Sequence, residues 1–201
     1  MREITHRPLE QRRKGGLQCV DSGHSEASVV QLPSKQGTGA LAGHFCIVTA
    51  LHSAGSFTHS PLAQRVLFYV LASGSNYGVA YSMVCCHFME MQWKHAVCMH
   101  DGEYFHGPFE TTDKSLPMVL LMDEGRTRAL DERCLTFLKT YAENYIVIDF
   151  QAINKGRIDH AVAEFFSPVV MVPVERFYVS QMAIATGHSM DYRRYMWKVS
   201  Y

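Results

Sequence analysis

Residues 67–92 read LFYVLASGSNYGVAYSMVCCHFMEMQ. Leu67 to Ala72 are apolar without a break, the mark of a parallel strand buried on both faces. Ser73-Gly74-Ser75-Asn76 supplies a turn, and Val79, Met83, Cys86 and Met89 then recur at roughly helical spacing. The spacing predicts a helix over about 76–92, with Ser75 or Asn76 able to cap its start. A strand, a Gly/Ser turn and a helix aim backbone N–H groups past the strand end, a geometry suited to holding an anion. The same pattern is also an ordinary tight connection. Ser73, Gly74 and Ser75 are the candidate binding residues on the first reading.

Working outward, the pattern repeats. His95 to Met99 is a short strand, and Asp101-Gly102 a turn signal. His106-Gly107-Pro108 sits in a loop or short helical turn, where Pro108 blocks a continuing helix and Gly107 frees the backbone beside the imidazole. Leu116 to Met122 is a third buried strand, with Pro117 near its start, where a missing donor matters least. Arg128 to Tyr141 reads as a helix with Leu130, Cys134, Leu135 and Leu138 inward, and Asp131, Arg133 and Lys139 as a solvated charge stripe. Tyr145 to Ile148 is the fourth strand, Gln151 to His160 a loop, and Val169 to Ala185 the last helix, with Pro173 in its first turn. Met190 to Tyr201 is a tail rich in Arg and Tyr. Buried strands alternating with helices over short connections predict a three-layer α/β/α sandwich around a mainly parallel sheet, flavodoxin-like in kind. Ligands of such sheets sit off the carboxyl ends of the strands, here the Ser73–Asn76 loop, the Asp101–His106 segment and the loop after Met122.

Residues 1–60 read as a poorly structured N-terminal segment and 61–201 as one domain. The first part holds RRKGG, DSGHSE and SKQGTGALAG, and its one apolar patch is Phe45 to Leu51. Gly37-Thr38-Gly39 lacks the lysine spacing of a phosphate-binding loop, and His52 and His59 read as solvated. The chain has 19 Lys and Arg against 19 Asp and Glu, so bulk charge predicts neither a nucleic-acid nor a membrane partner. No apolar run approaches the length of a membrane span, and none follows the basic N-terminus as a secretory leader requires. Six Cys and 11 His show no ligand spacing, so neither metal nor cofactor is expected, and the cysteines read as reduced thiols of a cytoplasmic protein.

Two groups can carry chemistry. Glu90 lies late in an apolar run beside Phe88, Met89 and Met91. His106 follows sixteen residues later in His106-Gly107-Pro108-Phe109. A helix end, a strand and a turn can bring them to one end of a sheet, as a base and an acid for moving protons beside a carbonyl. Two such residues at this spacing are also commonly unrelated.

The motif as a whole resembles sugar isomerase (SIS) domain enzymes: Glu90, then Gly102-Glu103-Tyr104-Phe105 running into His106-Gly107-Pro108. It is most similar to the C-terminal half of the fructoselysine-6-phosphate and fructose-asparagine-type deglycases. It is more distantly similar to the isomerase domain of glucosamine-6-phosphate synthase. The likeness continues through Glu132–Phe150, Pro168–Glu175 and Arg193-Arg194-Tyr195, covering Leu67 to Tyr201. It implies a single SIS domain that handles a phosphosugar or ketosamine phosphate. The reaction implied is hydrolysis of 6-phosphofructosyl-amino acids to glucose 6-phosphate and free amino acid, with Glu90 as base and His106 as acid, the latter from a neighbouring subunit in some relatives. Lys198 stands near the C-terminus, as a functional lysine does in the synthase. Glu103 reads as a holder of the His loop, and Arg193 and Arg194 as either an anion grip or an interface pair. The deglycases carry two SIS halves, and only the second is visible here. The alternative is therefore a lone half that binds carbohydrate derivatives, or serves as a subunit or inactive fragment, without turnover. Either reading predicts a homo-oligomer, because half a pair leaves an apolar face uncovered.

Overall fold

The computed structural model describes residues 67–201. The expectations for residues 1–66, including the patch Phe45–Leu51, the Gly37–Gly39 fragment, His52 and His59, lie outside them. Strand β1 (Leu67–Ala72) leads into helix α1 (Asn76–Ser82), which continues without a break as a π-helix over Met83–Met91. Next come β2 (His95–His100), the short α2 (Asp101–Tyr104), a 3₁₀ turn (Pro108–Thr111) and β3 (Met118–Met122). Helix α3 (Arg128–Tyr141), β4 (Tyr145–Asp149), α4 (Phe150–Asn154) and α5 (His160–Thr186) follow.

The four strands pair in parallel in the order β2-β1-β3-β4. Register is set from the first residues, with Leu67 opposite His95 and Met118 opposite Tyr145. The unbroken apolar runs serve both faces of the sheet. Phe68, Val70, Val119, Leu121 and Ile148 face α1, its π-helical extension and α5. Tyr69, Leu71, Met118, Leu120 and Val147 face α3 and Tyr104. Right-handed crossovers explain the split. The step from β1 to β2 moves one way along the sheet. The step from β2 to β3 passes back over β1, so its connection lies on the opposite face.

Three expectations are corrected. The last helix begins at His160, not Val169, and the expected loop holds α4. Pro168 and Pro173 both lie inside α5. Pro168 has no N–H for the carbonyl of Glu164, four residues back. That carbonyl instead accepts the Ser75 hydroxyl at 2.6 Å, so the helix passes through the proline with its acceptor satisfied. Asp131 is not on a solvated stripe but fully buried. It stands three, four and seven residues before Cys134, Leu135 and Leu138, the spacing of the inward face.

Candidate functional site

The carboxyl ends of β1 and β3 meet at the point where strand order reverses, the crevice that holds ligands in open α/β sheets. Here the protein's own side chains close it. Ser73 is fully buried, and its hydroxyl donates to Asp131 Oδ1. The Asp123 N–H donates to Asp131 Oδ2 at 2.8 Å. Asp101, 1% exposed, faces Asp131, and neither of its oxygens accepts a hydrogen bond from a described residue. Burial pushes the Asp101 carboxyl up to about 9, and the neighbouring Asp131 adds to the rise. Burial raises Asp131 too, opposed by hydrogen bonds from Asp101, Ser73 and the Asp123 backbone. Burial and the neighbouring carboxyl thus favour the protonated form of Asp101 near neutrality. The Ser75 hydroxyl is divided between Asp123 Oδ2 and the Glu164 carbonyl, each 2.6 Å away, and caps nothing. Asn76 accepts from Ser167 instead of capping α1. Gly74 adopts φ 54°, and a side chain there would run into the Thr127 hydroxyl. Around this core, Arg128 grips Asp149 with two bonds of 2.9 Å and donates to the Asp123 carbonyl at 2.7 Å. The three predicted segments do converge, but the Ser73 and Ser75 hydroxyls point inward, and nothing in their geometry offers them to a ligand.

Glu90 lies at the other end. It sits near the end of the π-helix, one short turn before β2, hence beside the amino ends of β1 and β2. The wider π turn also lets His87, on the buried side, meet Glu175 of α5 at 2.8 Å. Burial raises the Glu175 carboxyl, and His87 opposes that rise. Glu90 is a quarter exposed and opens into a cleft of about 430 Å³. The C-terminal tail forms the far wall. Arg193 Nε is 2.9 Å from Glu90 Oε1, an ion contact at an angle that misses a hydrogen bond. The Arg193 guanidinium also donates to the carbonyls of Met190 and Tyr192. Lys198 donates to the Arg193 carbonyl at 2.6 Å. The structure thus brings Glu90 to the side chain and Lys198 to the backbone carbonyl of one arginine. Trp93, at φ 53°, stands between the helix end and the tail, with Arg194 4.4 Å over its ring and His188 packed edge-on.

His106 is not beside Glu90. The Glu90 helix covers one face of the sheet, and the connection carrying His106 covers the other, where Phe105 and Phe109 pack on Phe137. His106 is exposed, its N–H donating to the Glu103 carbonyl at 2.9 Å. Glu103 serves the loop through that carbonyl, and among the described residues no ion pair involves its carboxylate. Among the described residues no group of three His, Cys, Asp or Glu can hold a metal, the four cysteines are free thiols, and no helix is long and apolar enough to cross a membrane.

No family model matches the chain. A fructosamine deglycase of Bacillus subtilis is 46% identical over 135 residues, covering 67% of this chain and 41% of that protein. A fructoselysine 6-phosphate deglycase of Escherichia coli K12 is 30% identical over 134 residues, covering 66% and 38%. Among solved structures, a Bacillus subtilis protein described as a phosphosugar isomerase superposes with a TM-score of 0.71 at 38% identity, over 80% of this chain and 47% of that one. A second, from Salmonella typhimurium, gives 0.68 at 32% identity, over 81% and 51%. The C-terminal domain of glucosamine-fructose-6-phosphate aminotransferase from Francisella tularensis, 20% identical with a TM-score of 0.54 over 75% and 43%, shares the fold alone. The chain is a relative of the deglycases and has the SIS-type sandwich, as its motif and its alternating strands indicate. It spans about two fifths of the length of the curated relatives it matches.

Proposed function

We propose that this chain handles phosphosugars and, in a complete assembly, hydrolyses 6-phosphofructosyl-amino acids to glucose 6-phosphate and the free amino acid. The observation that carries the reading is the placement of Glu90: a carboxylate at the mouth of a cleft, ringed by cationic side chains, in a relative of deglycases. In the reaction Glu90 takes a proton from C1 of the open-chain ketosamine and returns it to C2 through an enaminol. His106 donates a proton to the oxygen on C2. Loss of the nitrogen's proton, which restores His106, leaves an imine at C1 that adds water and releases the amine. No metal or cofactor is required by these steps.

Glu90 and His106 lie on opposite faces of the sheet, so a working pair needs the histidine of a second copy. The exposed side of α5 suits such pairing. Val162, Phe165, Phe166 and Val169 recur at helical spacing and are 42%, 65%, 50% and 72% exposed. We therefore infer a homo-oligomer, acting in the cytoplasm. Incubating the chain with fructoselysine 6-phosphate and measuring glucose 6-phosphate tests the reading. Release that is lost in both Glu90→Gln and His106→Ala supports it, and no release from the unaltered chain refutes it. A second reading rests on the closed crevice at the carboxyl ends of β1 and β3. With that crevice filled, the domain is a binding or subunit module, and turnover then appears only when a first-half SIS protein is added.

A further inference from the structure

The cleft beside Glu90 carries more positive charge than its carboxylate can balance. Arg193 already takes Glu90. Lys94 and Arg194 also line the cleft, and neither forms an ion pair among the described residues. Lys94 is half-buried, and burial pulls its ammonium below the ordinary lysine value. Its charge and that of Arg194 are both felt at His188, which burial and these two cations hold below the ordinary histidine value. The cations are also held in place. Lys94 follows directly on Trp93, whose left-handed backbone ends the helix, and its own N–H donates to the Phe88 carbonyl at 2.9 Å. Arg194 is stacked on the Trp93 ring. Two cations in one cleft, one stacked on an aromatic ring and one partly desolvated, with no ion-pair partner among the described residues, form a receptor for an anion.

We propose that Lys94 and Arg194 form an anion subsite that grips the carboxylate of the amino-acid half of the substrate. This rests on the phosphoketosamine reading given above. The identity of the anion follows from where Glu90 must act. A base working at C1 and C2 lies close to the nitrogen on C1 and the amino-acid carbons attached to it, whereas the phosphate on C6 is at the far end of the sugar. In ketosamines joined through the α-amino group, a cationic patch in the same cleft as the base therefore meets the carboxylate before it can meet the phosphate. The subsite would select such ketosamines over those of simple amines.

The test compares two ligands that differ by one group, 6-phosphofructosyl-glycine and 6-phosphofructosyl-methylamine, titrated calorimetrically into the full chain. The expected result is about ten- to hundred-fold tighter binding of the glycine compound, the range of a charge-assisted contact. Lys94→Gln and Arg194→Gln should each erode that preference, and the double variant should bind both compounds alike. Lys94→Arg should retain it, which separates loss of charge from loss of fold. Equal affinities in the unaltered chain would overturn the subsite and leave the phosphoketosamine reading standing. Variants that weaken both ligands by the same factor would overturn it too, placing these cations on the phosphate or in the scaffold. Binding of neither compound would overturn the subsite together with the reading it rests on.

Discussion

Replacing Asp101 with Asn should change how the stability of this domain depends on pH. Asp101 is 1% exposed and Asp131 fully buried. Asp131 receives the Ser73 hydroxyl and the Asp123 N–H, and so is the better carboxylate of the two. Asp101 has no such donors among the described residues and keeps a proton until its carboxyl titrates at about 9. In the unfolded chain the same group titrates near 4. Between those values the folded state binds one more proton than the unfolded state. Stability from this group is then fully present below about pH 4 and is lost as pH rises towards 9, at about 1.4 kcal/mol per pH unit. From pH 5 to pH 8 the loss is about 4 kcal/mol, a large part of the 5–15 kcal/mol typical of a domain. Asn has the same shape, stays neutral and can still donate to Asp131. Urea unfolding followed by circular dichroism at pH 5, 6, 7 and 8 should show the two proteins nearly matched at pH 5. The variant should pull ahead as pH rises. Groups other than Asp131, whose carboxyl responds to Asp101, are common to both proteins and cancel in the difference. Parallel pH slopes, or a variant weaker at every pH, would refute a protonated Asp101.

Three further outcomes are expected. Glu90→Gln and His106→Ala chains, each inactive alone, should recover about a quarter of full glucose 6-phosphate release when unfolded together and reassembled, since half the resulting dimers contain one intact site; no recovery would put the acid and base in one subunit or in neither. Ser75→Ala should cost about 1–3 kcal/mol in a urea titration by stranding the Glu164 carbonyl that Pro168 leaves without its helical donor, and a neutral result would remove Ser75 as that helix's support. Glu175→Ala should cost about 1–3 kcal/mol, because it leaves the buried His87 ring without its hydrogen-bond partner, which thermal unfolding at neutral pH would show.

The sheet was legible because parallel strands covered on both faces must be apolar throughout, as Leu67–Ala72 and Met118–Met122 are. Glu90 and His106 were legible as a motif, but not as neighbours. Which face each occupies depends on strand order, and one chain's residues do not state that the second crossover doubles back over β1. The start of α5 was hidden for a different reason. Pro168 and Pro173 argue against a helix locally, and the group that rescues the first, Ser75, is 89 residues away from Glu164 in sequence. Asp131 was readable and misread: its charge suggested solvent, while its spacing to Cys134 and Leu138 placed it inward. The Ser73–Ser75 turn looked open to an anion because its carboxylate partners, Asp123 and Asp131, lie in later segments that sequence does not bring near.

The π-helical stretch Met83–Met91 sets the phase of everything after it. A helix that widens for a few turns directs its last side chains as if one residue had been slipped into an ordinary α-helix. In an α-helix one residue is worth about 100° of rotation. Deleting a single apolar residue upstream of Glu90 would barely change the composition of the core. It would nonetheless swing the carboxylate about that far around the axis, off the cleft and away from Arg193. The direction of the base is thus encoded by a count of residues, and an insertion or deletion in this segment would alter it more than most substitutions could.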